Sequence, residues 1–159
     1  MGIAITSIGV KIAYAVETTA GTRPTTGYIH IPDLKSFPAI DSEPNTADAT
    51  TFDNLEYTSY VALLKDLGGA LELTGNMTDE IKAVWTTMCE SHTTAIAGGK
   101  RTWMSIDIPE IEEAGFIPIT PSPMGIPELT ANSLIEKSLY VTPIGEPVWD
   151  TKPTYAEGD

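Results

Sequence analysis

Residues 78–108 read TDEIKAVWTTMCESHTTAIAGGKRTWMSIDI, and within them the spacing of apolar residues changes from that of a helix to that of a strand. The first part has apolar residues three or four positions apart, on one face of a helix: Ile81, Val84, Trp85, Met88 and Cys89. Thr78 is a suitable N-cap, and Gly98 and Gly99 follow the pattern. We predict a helix from about residue 79 to 92, with its apolar face packed on a sheet.

The second part alternates, which is typical of a strand over residues 102–108. The alternation places Met104, Ile106 and Ile108 on one face and Trp103, Ser105 and Asp107 on the other. Further strands are predicted at residues 10–16 (half-buried), 28–34 (an edge or bulged strand because of Pro32), 70–74, 116–119 and 129–142. The predicted fold is mainly β with one α-helix, a β-sandwich or partly closed barrel. It forms one domain over residues 1–151, followed by a mobile tail at 152–159.

The composition narrows the class of protein. The chain has 159 residues, with 22 acidic against 9 basic side chains, and a formal net charge of −13. Such a charge repels phosphates and anionic lipids, so tight DNA binding is disfavoured. A single cysteine, Cys89, excludes a disulfide within the chain. We find no signal peptide or apolar run of membrane-spanning length, and we expect no membrane anchor.

The sequence contains few groups suited to catalysis. His30 and His92 are the only histidines, and both are more simply explained as surface or structural residues. Cys89 lies on the apolar helix face and is better explained as a small buried hydrophobe. Acidic residues cluster at positions 41–56 and 107–113, without the spacing of a calcium loop. We therefore predict no catalytic site, no metal site, no cofactor and no enzymatic activity.

The segment 41–60 combines a polar sequence with aromatic and apolar side chains. Loops longer than about 12–15 residues are usually functional or disordered. Exposed apolar side chains on such a loop favour a contact with another subunit. We expect this loop to be an assembly element, and the residues predicted to take part in self-association are Phe52, Asp53, Leu55, Tyr57 and Tyr60.

The order of these segments resembles that of the major tail proteins, or tail-tube proteins, of long-tailed bacteriophages with non-contractile tails. Residues 9–18 (GVKIAYAVET) resemble the first strand of that family. Residues 65–69 (KDLGG), the short strand after them and residues 79–81 (DEI) resemble its approach to the single helix. Residues 143–149 (PIGEPVW) resemble its closing segment.

The resemblance implies a tail-tube fold, in hexameric rings that stack into a hollow tube delivering double-stranded DNA. The implied partners are further copies of the chain, a tail initiator, a tape-measure protein and a tail terminator. The implied location is the virion tail, made and assembled in the bacterial cytoplasm. An acidic tube lumen would let DNA slide without binding, and Asp107 is our candidate for a lumen residue. Two alternatives are a hydrolytic enzyme, which would need a working carboxylate pair, and a monomeric β-sandwich binding module, such as a capsid decoration or adhesion domain.

Overall fold

The computed structural model describes Ile5, residues 8–41 and 46–52, the backbone of residues 60–62, and residues 69–156. Along these residues the chain forms ten strands and one helix: β1 (Lys11–Val16), β2 (Ile29–His30), β3 (Leu34–Ser36), β4 (Thr46–Asp48), β5 (Tyr60–Ala62), β6 (Leu71–Asn76), α1 (Asp79–Ala97), β7 (Thr102–Asp107), β8 (Glu113–Pro121), β9 (Glu136–Pro143) and β10 (Val148–Thr151). The prediction of a mainly β fold with one helix is confirmed.

The main sheet is antiparallel and curled into a half-barrel. Its strand order is β2-β1-β7-β8-β9-β6-β3, so β2 and β3 lie at the two ends of the order. Only Ile31, Pro32 and Asp33 separate these two strands, and such a link spans at most about 14 Å. In a flat sheet the same two strands would be roughly 29 Å apart. The chain connection therefore requires the sheet to curl.

Strand β8 divides the sheet into two parts. One edge of β8 pairs with β7 from Gly115 to Ile119. The other edge pairs with β10 near the beginning of β8, where Phe116 faces Val148, and with β9 at the end of β8, where Pro121 faces Val141. The long strand thus connects the two parts of the fold.

The main core lies between α1 and one side of the sheet. Ile81, Trp85 and Met88 are fully buried, as the helical spacing predicts. They pack with residues of the sheet such as Tyr14 and Met104. The indole Nε1 of Trp85 donates a hydrogen bond to the Ser122 carbonyl oxygen at 2.8 Å. The helix is thereby fixed both by apolar packing and by a polar contact to the segment after β8.

A second apolar cluster covers the other side of β1, β7 and β8. It contains Ala13, Ala15, Tyr28, Trp103, Ala114 and Phe116. The strand predicted at residues 10–16 is present as β1, but it is not half-buried, because consecutive residues from Ile12 to Ala15 are buried on both faces. The small alanine side chains leave room for Tyr28, whose ring is tilted against Phe116 at a centroid distance of 5.8 Å.

The loop after β1 closes over this second cluster and is held by the buried carboxylate of Glu17. One oxygen, Oε1, accepts hydrogen bonds from the backbone N–H groups of Gly21 (3.1 Å) and Arg101 (2.9 Å). The other, Oε2, accepts from the Arg101 side-chain Nε (3.1 Å) and from the Trp103 indole Nε1 (2.9 Å). Further along the loop, Arg23 forms an ion pair with Asp150 of β10 and lies over the Phe116 ring. The loop is therefore fixed to both β7 and β10.

Residues 152–156 were predicted to begin a mobile tail, but in the structure they pack against the domain. The backbone N–H of Ala156 donates to the Tyr28 carbonyl oxygen at 2.8 Å, and the Tyr28 N–H donates to Thr154 at 3.2 Å. Pro153 is buried, and the Lys11 ammonium lies 5.0 Å from the centre of the Tyr155 ring. The expectation of a mobile tail does not hold for these five residues. Their contacts are with residues distant in sequence, so the pattern of the segment itself does not reveal them.

Several predicted boundaries differ from the structure, and three differences are informative. Helix α1 continues to Ala97, five residues beyond the prediction, because the buried Ala95 extends its packed face and Gly98 forms the C-cap. The strand predicted over residues 129–142 begins only at Glu136. The strand predicted over residues 28–34 is interrupted after His30, since Pro32 has no N–H to donate and Asp33 adopts a positive φ of 62°.

His92 faces the sheet and is buried. Its Nδ1 lies 2.9 Å from the hydroxyl oxygen of Thr102, which is itself fully buried. The prediction of a structural histidine is correct, whereas the surface position also considered is wrong. Burial lowers the pKa of His92 below its ordinary value of 6.5.

We expect His92 to make the protein less stable in mild acid. The neutral ring is favoured in the folded state, so the stabilisation is complete above pH 6.5 and is lost as the pH falls through 6.5 toward the lower folded pKa. Urea unfolding at pH 7.5 and pH 5.5 measures the difference. His92→Gln should reduce the loss between these pH values, whereas His30→Gln should retain it. An identical loss in the wild type and His92→Gln would contradict the assignment.

Candidate self-association surface

The segment predicted as an assembly loop contains a β-hairpin. Thr46 faces Ala62 and Asp48 faces Tyr60 in an antiparallel pair that is separate from the main sheet. The prediction of a loop throughout residues 41–60 was therefore wrong at β4 and at the start of β5. The strands are short, and β4 is exposed and lacks an apolar face, so alternation gave no signal. Isolated two-stranded hairpins are marginally stable in water, which favours a stabilising contact for this one.

Phe52 is the best-placed of the predicted assembly residues. Its side chain is fully exposed, at 104% of the reference area, just beyond the end of β4. The turn before it is ordered by Asp48, whose Oδ1 accepts a hydrogen bond from the Thr50 N–H at 2.8 Å. Hydrogen bonds from the Thr50 hydroxyl and N–H lower the pKa of Asp48, so this carboxylate stays charged at neutral pH. A large apolar side chain is thus presented to solvent on a polar hairpin.

The other predicted assembly residues are only partly described. Asp53, Leu55 and Tyr57 lie outside the described residues. Tyr60 has a described backbone in β5, but its side chain is outside the described part. The roles of these four residues stay predictions.

Asp107, the lumen candidate, lies beneath the C-terminal segment. Its carboxylate is 2.9 Å from the Lys152 ammonium and accepts a hydrogen bond from the Tyr155 hydroxyl at 2.9 Å. Burial and this carboxylate raise the pKa of Tyr155 above its usual value, so the phenol remains protonated and donates. Only 14% of the Asp107 side chain is exposed, which limits its contribution to a surface field. Its lumen role stays a prediction.

Two apolar surfaces were not identified from the sequence. The first is the irregular segment between β8 and β9, which exposes Ile126, Leu129, Leu134 and Ile135. The second is a groove of about 310 Å³ between residues 37–40 and the beginning of β10. The Trp149 side chain lines this groove and is 57% exposed. The first surface was missed because residues 129–135 were predicted to belong to a strand. The second was missed because it is formed by segments distant in sequence.

The described residues show no arrangement suited to metal chemistry. No group of three His, Cys, Asp or Glu side chains among them could hold a metal ion. Cys89 is half-buried, and burial raises the pKa of its thiol, so the thiol is the favoured form at neutral pH. In the part of the chain that the structure describes, no helix has the length and apolar character needed to cross a membrane.

Solved structures share this fold over nearly the whole chain. A chain in the cryo-EM structure of the anti-feeding prophage baseplate, six-fold symmetrised, matches with a TM-score of 0.66 and 9% identity, covering 95% of this chain and 98% of that one. The fold is a β-rich phage-tail type. A chain from the tail of an empty gene transfer agent particle, refined with C6 symmetry, gives a TM-score of 0.59 and 13% identity, with coverage of 93% and 100%. No family model and no curated protein matches.

Proposed function

We propose that this protein is a structural subunit of a phage-type tail, assembled in the virion as hexameric rings that stack into a hollow tube. The observation that carries the proposal is the match of nearly the entire fold to chains of two particles described with six-fold symmetry. A subunit of this kind needs surfaces for self-association more than a catalytic centre. The exposed hairpin and the two apolar surfaces provide candidates for such contacts.

The charge of the chain also supports a conduit for DNA. A net charge of −13, distributed over a ring and repeated along a stack, would repel the phosphates of a passing duplex. The further partners that the proposal implies are a tail initiator, a tape-measure protein and a tail terminator, which would start the tube and set its length. DNA would be a passing cargo rather than a bound ligand.

A ring subunit of a baseplate is the second candidate function. The observation favouring it is the higher TM-score of the baseplate chain, 0.66 against 0.59 for the tail chain. The two functions differ in the length of the assembly, because a baseplate ring ends after a defined number of layers whereas a tube subunit repeats. The mass distribution of the assembled protein at increasing concentration therefore distinguishes them.

We expect Phe52→Ala to leave the subunit folded and to block its assembly. The side chain is fully exposed, so its removal takes away no buried contact within the described chain. At an interface, truncation of an aromatic anchor commonly weakens binding by about 2 kcal/mol or more, roughly thirtyfold. Light scattering after size exclusion would report the change as a shift from oligomer to monomer, with the unfolding midpoint unchanged.

Ile96→Ala is a suitable control for Phe52→Ala. Ile96 lies in the last turn of α1 and is 53% exposed. Its truncation therefore also removes an exposed apolar side chain, but one outside the hairpin. Assembly should survive this substitution. Unfolding of Phe52→Ala, or equal loss of assembly in both variants, would contradict the role of the hairpin.

A further inference from the structure

The two apolar surfaces lie far apart along the direction of β8. The groove is lined by Gly115, Phe116 and Ile117 in the first half of this strand. The exposed segment, residues 126–135, ends at Ile135, whose carbonyl oxygen accepts a hydrogen bond from Met77 just before α1. Since β8 ends opposite Val141 and β9 begins at Glu136, the end of the segment is roughly 30 Å from Phe116 along the strand direction. The groove and the end of the segment are therefore separate surfaces of one molecule.

The groove has the shape and chemistry to hold apolar side chains. Its lining includes Phe37, Ile40, Ile117, Val148 and Trp149, all of them apolar. Its volume of about 310 Å³ is at the lower end of the range of ligand pockets, which suits a few side chains better than a large ligand. Val148 and Trp149 are 41% and 57% exposed, so the rim is open in the described part of the chain.

The segment offers side chains of matching chemistry. Leu134 is 83% exposed, Ile126 is 89% exposed and Leu129 is 68% exposed. Met124, at the start of the same connection, packs against the main core, and Trp85 donates to the neighbouring Ser122 carbonyl oxygen. The segment is therefore attached to the core at its beginning while its apolar side chains face outward.

A second copy of this chain fits the groove, because these two surfaces let two acidic copies meet without facing like charges. With a net charge of −13, most surfaces of two copies repel each other. The groove lining contains no charged residue, and Glu128 is the only charged residue in the segment. Contact between these two surfaces thus buries apolar area while bringing little like charge together.

We propose that the segment 126–135 of one subunit inserts into the groove of the next, a head-to-tail contact between different surfaces. The inference rests on the proposed function, because it names one of the contacts through which the subunits would associate. A contact of this type leaves a free groove at one end and a free segment at the other, so it repeats until a ring closes or a stack ends.

Two double variants and their mixture test the contact. Leu129→Ser/Leu134→Ser removes the inserted side chains, and Val148→Ser/Trp149→Ser removes part of the lining of the groove. All four residues are more than 40% exposed, so both variants should keep a cooperative thermal transition. If a double variant loses this transition, a single substitution replaces it: Leu134→Asp for the segment variant and Trp149→Asp for the groove variant. Ile96→Ser is the matched exposed control.

Sedimentation velocity at increasing concentration gives the readout. We expect the wild type and the control to associate into oligomers, and each variant alone to associate at least about tenfold more weakly. The equimolar mixture of the two variants should associate more strongly than either variant alone, because the intact groove of one variant can still take the intact segment of the other.

Three further outcomes overturn the inference, and a fourth overturns only the proposed function. Strong dimers of the segment variant alone would indicate a groove-to-groove contact instead, and a wild type that stays monomeric at every concentration would show that the contact does not form. Six-fold rings that still form from both variants would exclude this contact while leaving the proposed function intact. Oligomers that depend on both surfaces but never form rings would support this contact and contradict the proposed function.

Discussion

Trp85→Ala should destabilise the subunit by about 3–5 kcal/mol, since it removes the largest fully buried side chain of the main core. The substitution leaves a cavity between α1 and the sheet. It also removes the hydrogen bond to the Ser122 carbonyl oxygen, which then loses its indole partner. Urea unfolding followed by circular dichroism measures the effect as a lower midpoint at nearly constant slope.

Trp149→Ala provides the matched control for this prediction. It removes the same type of side chain from a position that is 57% exposed, so the loss of folding stability should be much smaller. Equal losses for the two variants would contradict the assignment of Trp85 to the main core. A selective loss of assembly in Trp149→Ala, without a loss of stability, would agree with the role of its groove.

Glu17→Ala should cost about 3 kcal/mol of folding stability, although the sequence gives no reason to single out this residue. The side chain is completely buried and accepts hydrogen bonds from Gly21, Arg101 and Trp103. Removing the carboxylate leaves the backbone N–H groups of Gly21 and Arg101 and the indole N–H of Trp103 without their acceptor. Glu17→Gln should be milder, because the amide keeps one acceptor oxygen.

The pH dependence of Glu17→Ala gives a second measurement. Burial raises the pKa of Glu17, but the hydrogen bonds from Trp103, Arg101 and Gly21 outweigh it and lower the pKa below the ordinary 4.5. Its stabilisation is thus present above pH 4.5 and is lost as the pH falls below this value. The difference between wild type and Glu17→Ala should shrink between pH 6 and pH 3. Exposed Glu110→Gln is the control, and a constant difference would contradict the network.

Local patterns in the sequence predict the elements that bury one clear face. Helix α1 has apolar residues at helical spacing and an N-cap, Thr78, whose hydroxyl accepts from the Ile81 N–H in the structure. Its end was predicted too early because the apolar stripe ends at Cys89, whereas Thr93 and Thr94 are helical despite their weak helix propensity. Their hydroxyls instead donate to backbone carbonyl oxygens one turn earlier.

Contacts between distant segments explain what the sequence does not reveal. Ala13 and Ala15 give no apolar signal of their own, yet Tyr28 and Trp103 bury them from the outer side. Glu17 is one of 22 acidic residues, and its partner Arg101 is 84 positions away. Likewise, the groove joins segments around residues 37, 116 and 148, so no window of sequence contains it. The exposure of Phe52 could be predicted because its neighbours in sequence are mostly polar, whereas its role in assembly stays a prediction.

Electron microscopy of the purified, concentrated protein tests the proposed tail-tube function most directly. Negatively stained wild type should form rings with six-fold symmetry in end views and stacked layers with a continuous axial channel in side views. Phe52→Ala, prepared in parallel, should give dispersed particles of subunit size. Single rings that never stack would favour the baseplate function. Dispersed wild-type particles at every concentration and salt condition would contradict self-assembly into a tube and support a monomeric binding module.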